Sequence, residues 1–550
     1  MAADMLQRSS GQHALGKSPG ECLVGWAVAR GASVSGKVAF LEATPTGDRV
    51  CRACDAIEED EILVSLPRAL ALEVPPASES SGPLGVSSKL LDSLRSQASR
   101  EHSDLAGRSL VIALLVYAEL ARGDASQFAA YLDLLPRSFP TMPLLDKEAP
   151  WVAPKTKLGP APLESCESRD CKTFDEPWIY HGTGIAMLAQ ASGLSGPSGI
   201  SQMCNLIDEL DPQAHWWPAA WRSGDADRAA ADRRRLQWAA AAVQSRAHAT
   251  RAGGTILVPL ADSFNHSASP NAELEEEETL LIIRASRAVE AGEELLISYG
   301  HFSNAELLFN AGFTCRPNPH DCIHVPPTHL VAAARASWFA KACRVPDNFD
   351  DRCAKLFHGM PLPRFSASAP VIGGAVPARV VTLLVGLLLD DSYWEQLCAD
   401  GCGFGAIHDL WAAGPPAEAA QLQLQALKAV GTALQAVASE FQTTLEADQA
   451  ELALAEATLC KVCAPPEDSC AGRAAALQLH GWLRRANALR MRVGERELLG
   501  KLQATISARA AGAAQSRCNP RVEARQEEPA MKRCRTEKVD LQAETEKEQK

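Results

Sequence analysis

Strand-like text occurs twice in this chain, at 21–67 and again at 255–313, and a long helical stretch from about 89 to 244 lies between the two. The short apolar runs at 37–41 and 61–66 each end at Pro or Gly, as strands do. Further runs at 255–260, 279–283 and 294–299 read the same way, and Glu275 to Glu278 fits a solvated hairpin tip between the first two. In the helical stretch, Ser109 can cap a helix. Its apolar positions Leu110, Ala113, Leu114, Tyr117, Leu120 and Ala121 keep helical spacing, and Gly123 ends it. The text turns helical and Ala/Leu-rich again from about 325 to 512. No fixed period runs through it, which argues against an array of stacked repeats. The expected class is therefore α+β, with an all-α region at the C-terminal end.

The lesser elements follow from local chemistry. Ser303 and Glu306 form a capping box, and Gly312 suits the cap at the other end of the short helix they begin. The apolar run 380–389 is far shorter than the ~20 residues that span a bilayer and reads as a buried helix. An amphipathic helix is expected over 486–504. Residues 75–85 read as a loop, and 146–175 and 191–235 as surface insertions.

Charge and cysteine usage bound the function. With 54 basic and 67 acidic residues the formal charge is −13, so a general nucleic-acid binder is disfavoured and a basic protein partner suits better. Seventeen cysteines without a regular framework read as reduced thiols. The expected compartment is the cytoplasm. The basic cluster MKRCR at 531–535 leaves a nuclear address open, and the Ser/Gly-rich first 20 residues leave a chloroplast one open. The pair Cys460 and Cys463 with Cys470 reads as incidental thiols, because a second C-x-x-C is missing.

Candidate chemistry concentrates at 245–313. Ser245 and Arg246 come first, then Asp262, Asn265 and His266 just past an apolar strand, then GEELLISYG at 292–300 and SNAELLFNAGF at 303–313. Polar groups at the end of a buried strand are held by a rigid scaffold. Tyr299 ends another apolar strand. By itself it reads first as a half-buried strand tyrosine with its hydroxyl hydrogen-bonded, and second as a phenol set beside a reacting centre. A metal is not called for here, since no third ligand of suitable type stands near Asp262 and His266.

Together these strings resemble the SET-domain protein methyltransferases. More narrowly, they resemble the class that includes the Rubisco large-subunit lysine methyltransferases and the actin-histidine methyltransferase. Gly25-Trp26 with Arg30-Gly31-Ala32, Tyr131-Leu132 with Leu135-Pro136 and Phe139, Trp178 to Gly184, and Trp238 are similar to other stretches of that class. LRMRVGERELL at 489–499 is similar to the closing helix of its substrate-binding domain. The resemblance implies a knotted, β-rich SET domain over 21–313 with a helical insertion at about 86–244. It further implies a helical substrate-binding domain over 314–512, a flexible start at 1–20 and a disordered charged tail at 513–550. It implies transfer of a methyl group from S-adenosyl-L-methionine to a side-chain nitrogen, most simply lysine of a non-histone protein docked by the C-terminal domain. The enzyme would be a monomer with neither nucleic acid nor membrane as partner.

Residue by residue, the resemblance puts Thr46, Asp48, Arg246, Asp262, Asn265, His266 and Tyr299 at the cofactor. It puts Arg246, Asp262 and Ala311 toward the target, with Tyr299 at the transfer point. Two departures matter. Arg49 stands where the family's early glycine-rich turn has its second glycine, and a turn needing φ > 0 there would be strained. Arg49 could instead contact the cofactor carboxylate, or mark a catalytically silent SET-like protein-binding module. Ala311 replaces the tyrosine common in lysine-directed members and leaves a histidine target open.

Overall fold

The computed structural model describes residues 18–43, 49–73, 104–136, 139, 142, 177–180, 182–191, 226–251, 254–357, 362–366, 377–399, 416–461 and 470–518. It divides into two compact units. The first comprises Met1–Pro327, Gly359–Ser368 and Val437–Leu498; the second comprises Thr328–His358, Ala369–Ala436 and Leu499–Lys550. Contacts thus group 437–498 with the N-terminal unit, where the sequence suggested one helical domain from 314 to 512.

The first unit opens with a helix, α1 (Pro19–Val28), where strands and turns were expected. The cause is legible after the fact. Ser18 and Glu21 form a complete capping box and Pro19 occupies the first helical position. The nominal flexible start therefore contains an ordered cap at Ser18. Strands β1 (Ser33–Val34), β2 (Val38–Ala43), β3 (Arg49–Ala53), β4 (Ile62–Pro67) and β5 (Leu72–Glu73) follow. Helices α2 (Asp104–Arg122), α3 (Ala129–Leu132), α4 (Gly184–Ala191) and α5 (Ala226–Arg246) form the inserted layer. Helix α2 begins at Asp104, more than a turn before Ser109, and breaks at Gly123, whose φ is +55°. Residues 226–235, expected in a surface insertion, are helical, because Ala and Arg are strong helix formers whatever their exposure. The expected loop at 75–85 and insertion at 146–175 lie outside the described residues.

Strands return as β6 (His248–Ala249), β7 (Thr255–Leu257), β8 (Asn265–His266), β9 (Ala272–Glu276), β10 (Leu280–Ala285) and β11 (Leu296–Ile297). An antiparallel sheet ordered β1-β4-β10-β9 joins the early strand region to the late one, with Ser65 opposite Ile282. The acidic run straddles the end of β9 and the turn to β10: Glu275 and Glu276 pair with Ile282 and Leu281, and only Glu277 and Glu278 form the exposed turn that was expected of all four. The pairing that matters most is short and parallel: β8 lies beside β11, with Asn265 opposite Leu296 and His266 opposite Ile297. Two neighbouring parallel strands need a crossover between them. Helix α6 (Asn304–Ala311) then begins at the Ser303/Glu306 capping box and ends at Gly312 with φ +80°, both as expected. A small hairpin pairs β12 (Ile323–His324) with β13 (Arg364–Phe365).

One apolar core runs under the sheet, from Leu23 and Trp26 through Val111–Ala118, Leu236–Val243, Phe264 and Leu281 to Ile297. A second core gathers Ile179, Ile185, Leu308, Phe309, Leu452 and Leu489. Helix α7 (Pro327–Ala342) starts at the unit boundary. In the second unit, α7 meets α9 (Ala378–Leu388) through the Trp338 indole, which donates to the Leu387 carbonyl at 2.9 Å. Arg352 on α8 (Phe349–Phe357) is fully buried against Asp391 at the start of α10 (Asp391–Ala399). The run 380–389 is buried, as its composition required. Helices α11 (Pro416–Glu440), α12 (Leu445–Leu459) and α13 (Cys470–Cys518) complete the chain. The last is much longer than the 486–504 expected and continues into the nominal tail at 513–518.

Candidate active site

Three local devices converge at the β8–β11 pair. Leu260 adopts φ +72°, a costly conformation for a non-glycine residue, and turns the chain sharply after β7. The single 3₁₀ turn Ala261–Ser263 that follows presents Asp262. Helix α5 ends at Arg246, which donates from Nη1 to the Asp262 carbonyl at 2.6 Å and lies 3.4 Å from its Oδ2. From the inserted layer, the Tyr131 hydroxyl donates to the same Oδ2 at 2.8 Å. Burial pushes the Asp262 carboxyl up even though Arg246 pulls it down. Burial, then the Asp262 charge, push the Tyr131 phenol well above its ordinary value.

Tyr299 is fixed from two sides. Its backbone N–H donates to His266 Nδ1 at 3.0 Å, and its hydroxyl donates to the Phe264 carbonyl at 2.8 Å. Burial lifts its phenol to about 12, so it stays protonated at neutral pH. Asn265 pins the other edge, donating to the Arg49 carbonyl at 3.1 Å and to Glu294 Oε1 at 2.8 Å.

These groups line one cavity of about 310 Å³, within the range of small-molecule sites. Arg246, Asp262, Asn265, Tyr299 and Ala311 all face it, so five expected residues that are far apart in sequence share one space. His266 stands behind Tyr299 instead of lining the cavity, with ring centroids 5.2 Å apart. Thr46 and Asp48 lie outside the described residues. Arg49 also lines the cavity, in β3 with no positive φ, so the strain expected of an arginine in a glycine turn does not arise. Its guanidinium donates to the Leu134 carbonyl at 3.0 Å. Leu134, Leu135, Pro136 and Phe139 form an apolar wall, held in part by the Trp238 indole donating to the Pro136 carbonyl at 2.9 Å.

Sequence reasoning missed Tyr131 as a polar partner of Asp262, although its neighbourhood was part of the resemblance. No spacing signal links residues 131 positions apart. It also missed His248, whose ring packs edge-on to Tyr299 with centroids 6.2 Å apart. Burial lowers that imidazole to about 4, and its Nε2 has no hydrogen-bond partner.

Among known proteins, the SET domain family model matches residues 48–300. The N-lysine methyltransferase setd6 of Xenopus tropicalis is 35% identical over 83 residues, which is 15% of this chain and 18% of that protein. Its Xenopus laevis counterpart is 34% identical over 82 residues. The chain thus spans under a fifth of the length of these curated relatives. A crystal structure of the SET domain of LSMT bound to lysine and AdoHcy is similar at TM-score 0.53 and 15% identity, covering 93% of this chain and 97% of that one. Rubisco LSMT bound to AdoMet is similar at TM-score 0.51 and 14% identity, covering 94% and 99%. At such identity the likeness shows the fold. Family match and fold agree with the α+β architecture read from the sequence: residues 48–300 match the SET domain family, and the fold is that of the solved SET-domain structures.

Proposed function

We propose that this chain is a protein-lysine N-methyltransferase using S-adenosyl-L-methionine. The observation that carries the reading is the convergence of Arg246, Asp262, Asn265 and Tyr299 on one cavity, through the parallel β8–β11 pair. The donor set fits such a cofactor. Buried Asp262 Oδ1 and Arg246 Nε have no partner of their own, and Arg49 adds a guanidinium at the rim suited to a carboxylate. Asn265, Arg246, Asp262 and the backbone beside His266 would hold the cofactor, with Thr46 and Asp48 assigned to the same pocket.

The cofactor supplies a methyl group on a positively charged sulfonium. The chain's own work is positioning and desolvation. Tyr299 donates its O–H in a hydrogen bond to the Phe264 carbonyl, which leaves the phenol lone pairs to stabilise partial positive charge at the transfer point. The wall of Leu134, Leu135, Pro136 and Phe139 strips water from an entering ammonium and favours its neutral, nucleophilic form. Asp262 Oδ1 is an acceptor for an N–H of the target, and holding both reactants in line removes much of the entropic barrier.

Ala311 lies on the cavity wall and makes it roomier than a tyrosine would, which keeps a histidine target as the rival reading. The unstrained Arg49 removes the main motive for a silent binding module. We further assign substrate docking to the helical residues 314–512 and read the enzyme as a monomer acting on a basic segment in the cytoplasm. None of the described helices is long and apolar enough to cross a membrane.

Labelled-methyl transfer into cell extract, followed by fragment mass spectrometry of the labelled protein, tests this. Methyllysine is expected. Methylhistidine alone would overturn the choice of nitrogen. Calorimetry showing no cofactor binding at millimolar concentration would favour the silent module.

A further inference from the structure

A second chemical cluster lies in the first unit and takes no part in methyl transfer. Glu306 sits in the first turn of α6, Cys322 precedes β12, and His324 ends it opposite Arg364 of β13. One ligand atom from each of Glu306, Cys322 and His324 lies within 4.8 Å of the others. Cys322 and His324 are each 2% exposed. Neither ring nitrogen of His324 has a hydrogen-bond partner, and the approach of Nε2 to Glu306 Oε1, 3.6 Å, is too long to be one. A buried imidazole unsatisfied at both nitrogens is a rare arrangement that demands a reason.

The surroundings leave the right atoms over. Glu306 Oε2 is occupied by the Ser303 N–H at 2.7 Å and by Arg364 Nη2 at 3.1 Å, so Oε1 is the oxygen turned to His324. Arg364 Nε donates to Cys322 Sγ at 3.4 Å, which would steady a thiolate as outer hydrogen bonds do at metal-bound sulfur.

We propose that Glu306, Cys322 and His324 form a mononuclear zinc site, with water in the fourth position. An imidazole, a thiol and one carboxylate oxygen suit a borderline-soft ion with tetrahedral habits and do not suit calcium or magnesium. Tetrahedral bonds of usual length set ligand atoms roughly 3.4–3.7 Å apart, so side-chain shifts of about 1 Å close the site. Binding releases the thiol proton to solvent and satisfies one nitrogen of His324. The ion would tie the start of α6, whose far end carries Ala311 into the cavity, to the β12–β13 hairpin.

The test uses the full-length protein, stripped with a chelator and titrated with Co²⁺. One Co²⁺ per chain is expected, with sulfur-to-cobalt charge-transfer absorption, and Zn²⁺ should displace it. Cys322→Ser and His324→Gln should each weaken zinc binding by more than about a hundredfold, and Arg364→Gln by about ten- to a hundredfold. Cys460→Ser should change nothing. The idea fails if the wild-type protein binds no stoichiometric metal or shows no thiolate band, a readout that needs no variant to fold. It fails equally if Cys322→Ser keeps the site or Cys460→Ser loses it.

Discussion

Tyr299 gathers three contacts into one position: a backbone bond to His266, a hydroxyl bond to the Phe264 carbonyl and an edge-on contact with His248. Replacing it with Phe keeps the ring and removes the oxygen. We expect the labelled-methyl rate to fall about a hundred- to a thousandfold while cofactor affinity by calorimetry changes little. Unchanged labelling would remove the phenol from the reaction. His248 gives a pH prediction. Its folded value, about 4, lies below the ordinary value of 6.5, so the unfolded chain binds the extra proton first. The stabilising contribution is complete above about pH 6.5 and is lost as pH falls through the folded value, by ~3 kcal/mol at the limit. Urea unfolding of wild type and His248→Gln should show the wild type losing more stability between pH 7 and pH 4. Parallel curves would count against a buried neutral imidazole. Asp262 has the opposite sense: its raised carboxyl makes stability decline as pH climbs from its ordinary value toward its folded one.

At the scale of elements, α1 and α6 are both set by four-residue capping boxes, and both were written in the chain. Only the second was read, because the first sits before a segment whose other signals are all of strands. Helix α1 also depends on a close approach. A Cβ at Gly20 would stand 1.9 Å from the Phe40 backbone oxygen, where no rotamer change can relieve it. Gly20→Ala should therefore cost about 1–3 kcal/mol or more in chemical denaturation, with β2 displaced from the helix. A wild-type midpoint in that variant would mean the helix docks more loosely than the structure shows. The early glycine-rich turn also illustrates the limit of alignment. Arg49 looked strained in a turn, yet it begins β3 and bonds the Leu134 carbonyl across 85 positions.

For the molecule as a whole, residues 437–498 group with the first unit, where the Gly184 N–H donates to the Glu495 carboxylate at 3.0 Å, and a buried polar clamp closes within the segment itself. Asp448, 1% exposed, accepts from Arg492 Nε at 2.9 Å and from Arg496 Nη1 at 2.7 Å, and both guanidinium groups lie over the Phe441 ring. Removing the carboxylate leaves Arg492 buried without its counter-charge. Asp448→Ala should cost about 3–5 kcal/mol in denaturant unfolding, and a loss below about 1 kcal/mol would show the clamp to be dispensable. The sequence by itself determined the α+β class, the capping box and C-cap of α6, the exposed turn at Glu277 and Glu278, the buried run at 380–389 and the candidacy of Arg246, Asp262, Asn265, Tyr299 and Ala311. These rest on periodicity, caps and motif strings, which are local or short-range. Only the tertiary structure decided that Tyr131 bonds Asp262, that His266 backs Tyr299 from outside the cavity, that Arg49 is unstrained and that the first unit recruits 437–498. Each of these is a contact between positions brought together by core packing and β-pairing, and hydrophobic burial has no address in sequence: it says which residues go inside, and leaves to the fold which of them meet.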